Sequence, residues 1–415
     1  MCNTCTTTLF YYSLFRRVDD VVTQTVTTSR GSTEDRTTNQ LTEEGRIIAK
    51  GSITLPGIPP QESRKIELPE AAWKSKPEKE TWLNLSYRTV SSSPFWEMGY
   101  ELGWNQFQVG GQWTMPVPSK RQNTIELNQD DSRIMVEADD WSIIFDKTTG
   151  TLISWEKNNT PLIQRGPRPD FWRAPTDNDR GAGLHNANKQ KILYPSNQWE
   201  KAGGAWKPED TTAEITPAGK AKIAFVGSLM ENAVSLSIQY EVDGAGGVIV
   251  DYRYATEQAL PVIPRVGTEW ILEPRFDQLE WYGPGPLPTY SDRNFERVGH
   301  YTTTVMENWV DYSKPQENGN KVNVRWLTLK DEQGYGLQFS GTQPLSCNVL
   351  PYSKNKIEDT AYSWQLGKPQ SIYLNIDYAQ MGVGGDNSWG LTCHPQYRLS
   401  EKAYYYQYRV NPVGF

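Results

Sequence analysis

Val234-Ser-Leu-Ser-Ile-Gln-Tyr-Glu-Val242, the turn Asp243-Gly-Ala-Gly-Gly247 and Val248-Ile-Val-Asp-Tyr-Arg-Tyr254 read as strand, turn and strand, and they decide the fold class. Apolar and polar residues alternate before a glycine-rich turn and an apolar run returns after it, the signature of a hairpin. The glycines are no nucleotide loop. Gly244-Ala-Gly-Gly-Val-Ile fails the G-x-G-x-x-G spacing and has strands on both sides. The same pattern recurs along the chain. Arg133 to Glu137 and Trp141 to Phe145 alternate, Asp146-Lys-Thr-Thr-Gly150 turns, and Thr151 to Trp155 returns. Val322 to Leu329, Gly336 to Phe339, Ser371 to Tyr378 and Tyr404 to Val410 continue the series. No amphipathic helix longer than three turns and no short internal repeat is evident, so residues 125–412 are expected to form one large antiparallel β domain.

Upstream, RIIAKGSITL from Arg46 alternates, Pro56 to Pro60 turns, and KIELP, TWLNLSYRTV and WNQFQV follow as far as Val109. Residues 39–115 therefore read as a partial β-sandwich. Pro116 and Pro118, among basic and amide residues, mark 116–124 as a linker. Residues 1–38, rich in Thr, Ser and charge, read as an unstructured leader.

The whole chain has 415 residues, which predicts two or three domains, and its 37% hydrophobic and 22% charged composition is that of a globular protein. A net charge of -7 without a basic face argues against nucleic acid as partner. Four cysteines are too few for a disulfide scaffold, and Cys2-x-x-Cys5 lacks the second ligand pair that zinc requires, so no metal and a reducing, cytoplasmic setting are expected. His185, His300 and His394 stand far apart, which excludes H-E-x-x-H. The apolar run Thr8 to Phe15 is too short to span a bilayer, and no basic region precedes it as in a signal peptide, so no membrane association is expected.

Three stretches concentrate chemistry. Asp170-Phe-Trp-Arg-Ala-Pro-Thr-Asp-Asn-Asp-Arg-Gly181 places Arg173, Asp177, Asn178 and Asp179 between strands, either as a pocket for sugar hydroxyls or a cation, or as a turn whose carboxylates accept N–H bonds and pair with Arg173 or Arg180. An EF-hand is excluded, because neither the Gly at position six nor the Glu at twelve fits. Trp281-Tyr-Gly-Pro-Gly-Pro286, followed by Tyr290, Asp292 and Arg293, offers a stacking surface and an ion-pairing site, or a purely structural turn. Gly382-Val-Gly-Gly-Asp-Asn-Ser-Trp389 presents Asp386, Asn387 and Trp389 at a flexible tip, where an indole and two polar side chains suit the C–H face and hydroxyls of a sugar.

These motifs, with E-N-G-N-K-V-N-V-R-W at 317–326, resemble the C-terminal domain of the bacterial-type β-galactosidases of glycoside hydrolase family 2. The resemblance covers about 125–412 and, more weakly, about 40–115, which is similar to the end of the family's preceding immunoglobulin-like domain. It implies an all-β chain, a partial Ig-like sandwich followed by a galactose mutarotase-like supersandwich. It also implies that the acid/base and nucleophile glutamates, which retaining hydrolysis needs about 5 to 5.5 Å apart, belong to a (β/α)₈ barrel outside this chain. No catalytic residue and no cofactor are then expected here, since the family's metal ligands lie mainly on the barrel. Trp389 would form an apolar platform for a galactoside, and the partner would be a large chain or barrel-bearing fragment within an oligomer. Two departures stand out. Pro288 replaces the Glu of the family's G-P-x-E-x-Y, and the sandwich is expected to lack its first strand, exposing a sheet edge. The alternatives are a free-standing carbohydrate-binding module, an inactive gene fragment, or a mutarotase using one of the three histidines.

Overall fold

The computed structural model describes residues 12–18, 21–27, 35–55, 59, 62–67, 78–115, 123–184, 189–387 and 389–415. They fall into two compact units, one within Met1–Thr114 with Val298–His300, the other within Met115–Arg297 and Tyr301–Phe415.

In the second unit the 234–254 segment forms the expected hairpin, Val234–Val242 against Val248–Ala255 with Val242 opposite Val248. Every second residue of Val234–Val242 is buried, so the alternation read from sequence is an inside and an outside face. The turn is closed by Asp243, whose Oδ1 accepts N–H bonds from Ala245 (2.9 Å) and Gly247 (3.0 Å). Its other oxygen pairs with the buried Arg409 of the last strand. Gly246 has φ +80°, and a Cβ there would strike the Trp141 indole at 2.9 Å, so both its freedom and its smallness are used.

This hairpin belongs to a twelve-stranded sheet. Its main order runs Arg165–Asp170, Arg265–Leu272, Ile372–Gln380, Gly336–Leu350, Ala403–Val413, Val248–Ala255, Val234–Val242, Ala221–Leu229 and Asp210–Ile215. Gln278–Gly285 pairs with Arg297–Thr304 and with Lys321–Lys330, and the latter joins the main path at Gly336–Leu350. A five-stranded meander, Glu126–Gln129, Arg133–Ala138, Trp141–Asp146, Thr151–Lys157 and Thr160–Pro161, covers part of it. The two sheets meet through aromatic rings, Phe145 lying 4.9 Å from Tyr240 and 6.2 Å from Phe225. Each fully buried side chain of this size contributes roughly 1.5–3 kcal/mol. Among the described residues the longest α-helix, Lys354–Asp359, has six residues. Trp155, Trp172, Trp199, Trp206 and Trp270 are fully buried in this unit, which makes them core rather than surface.

In the first unit, Arg46–Leu55, Asp35–Glu43, Thr81–Thr89 and Glu101–Gly110 form a four-stranded sheet around Leu41, Leu83 and Leu85. Here the structure corrects the sequence reading. Residues 1–38 are not an unstructured leader throughout: Tyr12–Val18 and Val21–Thr27 are strands, Val21–Thr27 pairs with Ser63–Glu67, and Asp35–Glu43 begins inside the same stretch. The physical reason lies in Val21-Val-Thr-Gln-Thr-Val-Thr27. Its Thr residues are polar, but Val and Thr are both β-branched and favour the extended backbone. The described part of this unit thus holds a three-stranded sheet with two strands from residues 1–38 and a four-stranded sheet with one strand that begins there. Most of the expected linker, 116–122, lies outside the described residues, as do Cys2, Cys5 and His185.

Candidate functional site

The strand Arg165–Asp170 delivers Phe171, Trp172 and Arg173 into the interior, all buried. Thr176 then caps a five-residue helix, Asp177–Gly181, in a reciprocal box: the Asp179 N–H donates to the Thr176 hydroxyl at 3.1 Å and the Thr176 N–H to the Asp179 carboxylate at 3.0 Å. Asp179 is also gripped in bidentate fashion by Arg173, at 3.0 and 2.9 Å. Burial alone would lower the Arg173 pKa, but the charge and hydrogen bonds of Asp179 together with the charge of Glu317 outweigh it, and the guanidinium is held above its ordinary value. Arg173 spends its remaining donors on the carbonyls of Met381 and Gly382, the latter at 2.9 Å, and the Asn178 amide donates to the Val383 carbonyl at 2.8 Å. The first motif is thus bolted beneath the third.

The second motif completes the fastening. Asp292 accepts from the N–H groups of Val383 (3.1 Å) and Gly384 (2.7 Å). A Cβ on Gly382 would lie 2.4 Å from the Asp292 carboxylate, so the chain passes there only as glycine. Further along, the Asn387 side-chain oxygen accepts from the N–H groups of Trp389 (3.2 Å), Gly390 (3.0 Å) and Leu391 (3.2 Å), and Lys191 donates to the Trp389 carbonyl at 2.7 Å. His394 Nε2 lies 3.0 Å from Asp386 at the surface. Above these supports the Trp389 side chain is 74% exposed.

The three motifs separated in sequence therefore converge. Of the expected site residues, Arg173 and Asp179 are buried and satisfied by one another and by backbone, so they act as struts. Asp177 and Asn178 line a cavity of about 320 Å³ with Pro288, Tyr290, Arg293 and Gln316, where Gln316 donates to Asp177 at 3.1 Å. Pro288, the departure from G-P-x-E-x-Y, sits on that wall, so the cavity lacks the carboxylate the motif would bring. Asp386, Asn387 and Trp389 stand together at the tip, with the Asn387 oxygen committed to shaping the turn. Sequence reasoning missed Lys191, which no local pattern distinguishes.

It also missed a buried charged layer. Arg265, fully enclosed, meets Asp377 at 3.1 Å, Asp170 at 3.4 Å and Glu317 at 3.5 Å, while Lys354 pairs with Asp170. Burial pushes the Asp377 carboxyl well above the usual range, and neighbouring Asp170 and Glu317 push the same way against Arg265. Burial likewise raises Glu317. For Asp170 burial is outweighed by Lys354 and Arg265, and its pKa falls. Asp377 is enclosed, whereas Glu317 also lines the 320 Å³ cavity and Asp170 a second cavity of about 500 Å³. His300 and His394 are exposed, so the described part of the layer has no imidazole partner of the kind the mutarotase alternative needs. Among the described residues no cluster of three His, Cys, Asp or Glu side chains is arranged to hold a metal, and no helix is long and apolar enough to cross a membrane.

Comparison with known sequences matches this geometry to a family. The family model described as "Beta galactosidase small chain" covers residues 137–410, and that described as "Beta-galactosidase, domain 4" covers 32–110. The chain is 29% identical over 375 residues to a β-galactosidase of Priestia megaterium, covering 89% of this chain and 35% of that protein. It is 30% identical over 348 residues to β-galactosidase BgaC of Bifidobacterium adolescentis, covering 81% and 32%. It thus spans about a third of the length of the curated relatives it matches. Among solved structures, galactose 1-epimerase of Lactobacillus acidophilus aligns over 70% of this chain and 98% of that one, with 10% identity and a TM-score of 0.43. With the small-chain match spanning residues 137–410, the chain belongs to the β-galactosidase small-chain family.

Proposed function

We propose that this chain completes the substrate pocket of a β-galactosidase whose catalytic glutamates lie on a separate barrel-bearing chain or segment. The observation that carries the reading is the Trp389 loop, an exposed indole on a backbone tied from below by Arg173, Asn178, Asp292, Asn387 and Lys191. A large aromatic held in water forgoes roughly 1.5–3 kcal/mol of burial, which is recovered when a sugar face or a partner covers it. Trp389 would supply the apolar platform, and Asp386 and Asn387 polar contacts for hydroxyls. On this reading catalysis needs no group from this chain, because both glutamates of retaining hydrolysis belong to the barrel. The reading carries with it a cytoplasmic setting, an oligomeric assembly and terminal β-galactosides such as lactose as substrates.

The test is hydrolysis of a chromogenic β-galactoside by the purified chain, alone and mixed with a barrel-containing fragment of a related enzyme lacking this region. Activity in the mixture only is the expected outcome. Turnover by the chain alone would overturn the division of labour. Silence in both, with galactose binding lost in Trp389→Ala, would make it a free-standing binding module.

A further inference from the structure

Asp170, one of the acids around Arg265, also lines the cavity of about 500 Å³, which shares no wall residue with the 320 Å³ cavity. The strand Arg165–Asp170 brings two guanidiniums there, those of Arg165 and Arg168. Residues three apart on a regular strand point to opposite faces. Here Arg165 stands opposite Ile271 and Arg168 opposite Glu269, three steps against two, and this bulge turns both side chains onto one cavity. Lys354 joins them from the helix Lys354–Asp359.

The acids nearby are already engaged. Glu269 pairs with Arg165 and lies 3.6 Å from Lys354, while Asp170 is held by Lys354, by Arg265 at 3.4 Å and by the Asn375 amide at 2.9 Å. Glu200 and Lys201 are exposed neighbours in the chain and offset one another. Arg168 is left over. It is half-buried, and among the described residues its side chain makes no ion pair and no hydrogen bond. Burial, and then the charge of Arg165, lower its pKa against the pull of Glu269 and Asp146. The buried Nε–H of Arg165 has no acceptor among the described residues either. Water compensates an arginine at an open surface far better than one drawn in beside a second guanidinium. An oxyanion would answer both groups, one oxygen accepting from Arg165 Nε and others from the planar fork of Arg168, whereas neutral hydroxyls would leave the charge unbalanced. We propose that the Arg165–Arg168 bulge, with Lys354 beside it, forms a binding site for a phosphate-type oxyanion, either free or as the head of a small phosphomonoester. The cavity has the size of a small-molecule pocket, so there is room for an ester's body as well.

The experiment is calorimetric titration of the full chain with inorganic phosphate and, separately, with glycerol 3-phosphate, at an ionic strength held constant with sodium chloride. The proteins are the native chain, Arg168→Gln, Arg168→Lys and Trp389→Ala. Saturable binding of about millimolar strength or tighter is expected, unchanged in Trp389→Ala and weakened about tenfold or more in Arg168→Gln. Arg168→Lys keeps the charge but loses the fork, so its affinity should fall between. Tighter binding of glycerol 3-phosphate than of phosphate assigns a phosphomonoester, and equal or weaker binding assigns the free anion; either supports the site. Arg168→Gln removes a charge without a partner, so in the absence of ligand it should melt at or above the native midpoint, and phosphate should raise the midpoint of the native chain only. No saturation by either ligand at about 50 mM would overturn the proposal. So would equal affinity in Arg168→Gln, a loss shared by Trp389→Ala, or an Arg168→Gln protein that melts well below the native one without ligand, which would show Arg168 already partnered within the fold.

Discussion

Asp377 is a carboxyl group that its surroundings discourage from ionising, and the consequence can be read in pH. Unfolded, it titrates near the ordinary value of about 3.9; folded, burial raises it well above that. The folded state therefore binds the proton more tightly. The stability this confers is fully present below about pH 4 and is lost as pH rises through the folded pKa, by up to about 1.4 kcal/mol per pH unit. Asn at this position is neutral throughout. The thermal midpoint of Asp377→Asn should accordingly gain on that of the native protein as pH goes from about 4 to about 8. A difference that does not vary with pH would show Asp377 ionised normally. Arg265→Leu, by contrast, strands three buried acids and should cost about 3–5 kcal/mol in chemical denaturation. None of this was legible in the sequence. Asp170, Arg265, Glu317 and Asp377 are far apart in the chain, and only the pairing of Arg165–Asp170, Arg265–Leu272 and Ile372–Gln380 brings three of them together. The Trp389 motif was legible because its residues are contiguous, as was its glycine requirement.

At the scale of elements, the alternating strands and the Asp243 turn were readable because period two and turn chemistry are local properties. The strand Val21–Thr27 is masked in the sequence by a leader rich in Thr, Ser and charge, although its own run is β-branched. The struts under the tip were readable as motifs but not as a joint, since nothing local in Arg173 says that its guanidinium ends on the carbonyls of Met381 and Gly382. Two predictions belong here. Arg173→Met leaves Asp179 buried without its cation, and should lower the thermal midpoint and speed hydrogen exchange at the Val383 and Gly384 amides. Exchange unchanged at those amides would mean that Asp292 alone fixes the loop. The four-stranded sheet ends on Arg46–Leu55, where Ile47 and Ile48 are 48% and 50% exposed. A charge on such an edge opposes strand addition, so Ile48→Lys should reduce aggregation of the concentrated chain while changing stability by no more than about 0.5 kcal/mol. Light scattering against concentration checks the first part and urea unfolding the second.

For the whole molecule, the exposed Trp389 indole is what the proposed pocket takes from this chain. In the reconstituted mixture, Trp389→Ala should raise KM about tenfold, the equivalent of roughly 1.4 kcal/mol, with a smaller effect on kcat. Steady-state kinetics on the mixture decide it, and an equal fall in kcat and kcat/KM would assign Trp389 to the transition state alone. The supports beneath the tip carry one more consequence, for time rather than energy. Because the Trp389 loop takes its shape from bonds within its own chain, it is set before any partner arrives. On the proposed reading, joining a barrel-bearing chain then asks for no rearrangement of this loop. Activity after mixing should rise with second-order kinetics, faster in proportion to concentration and without a later lag.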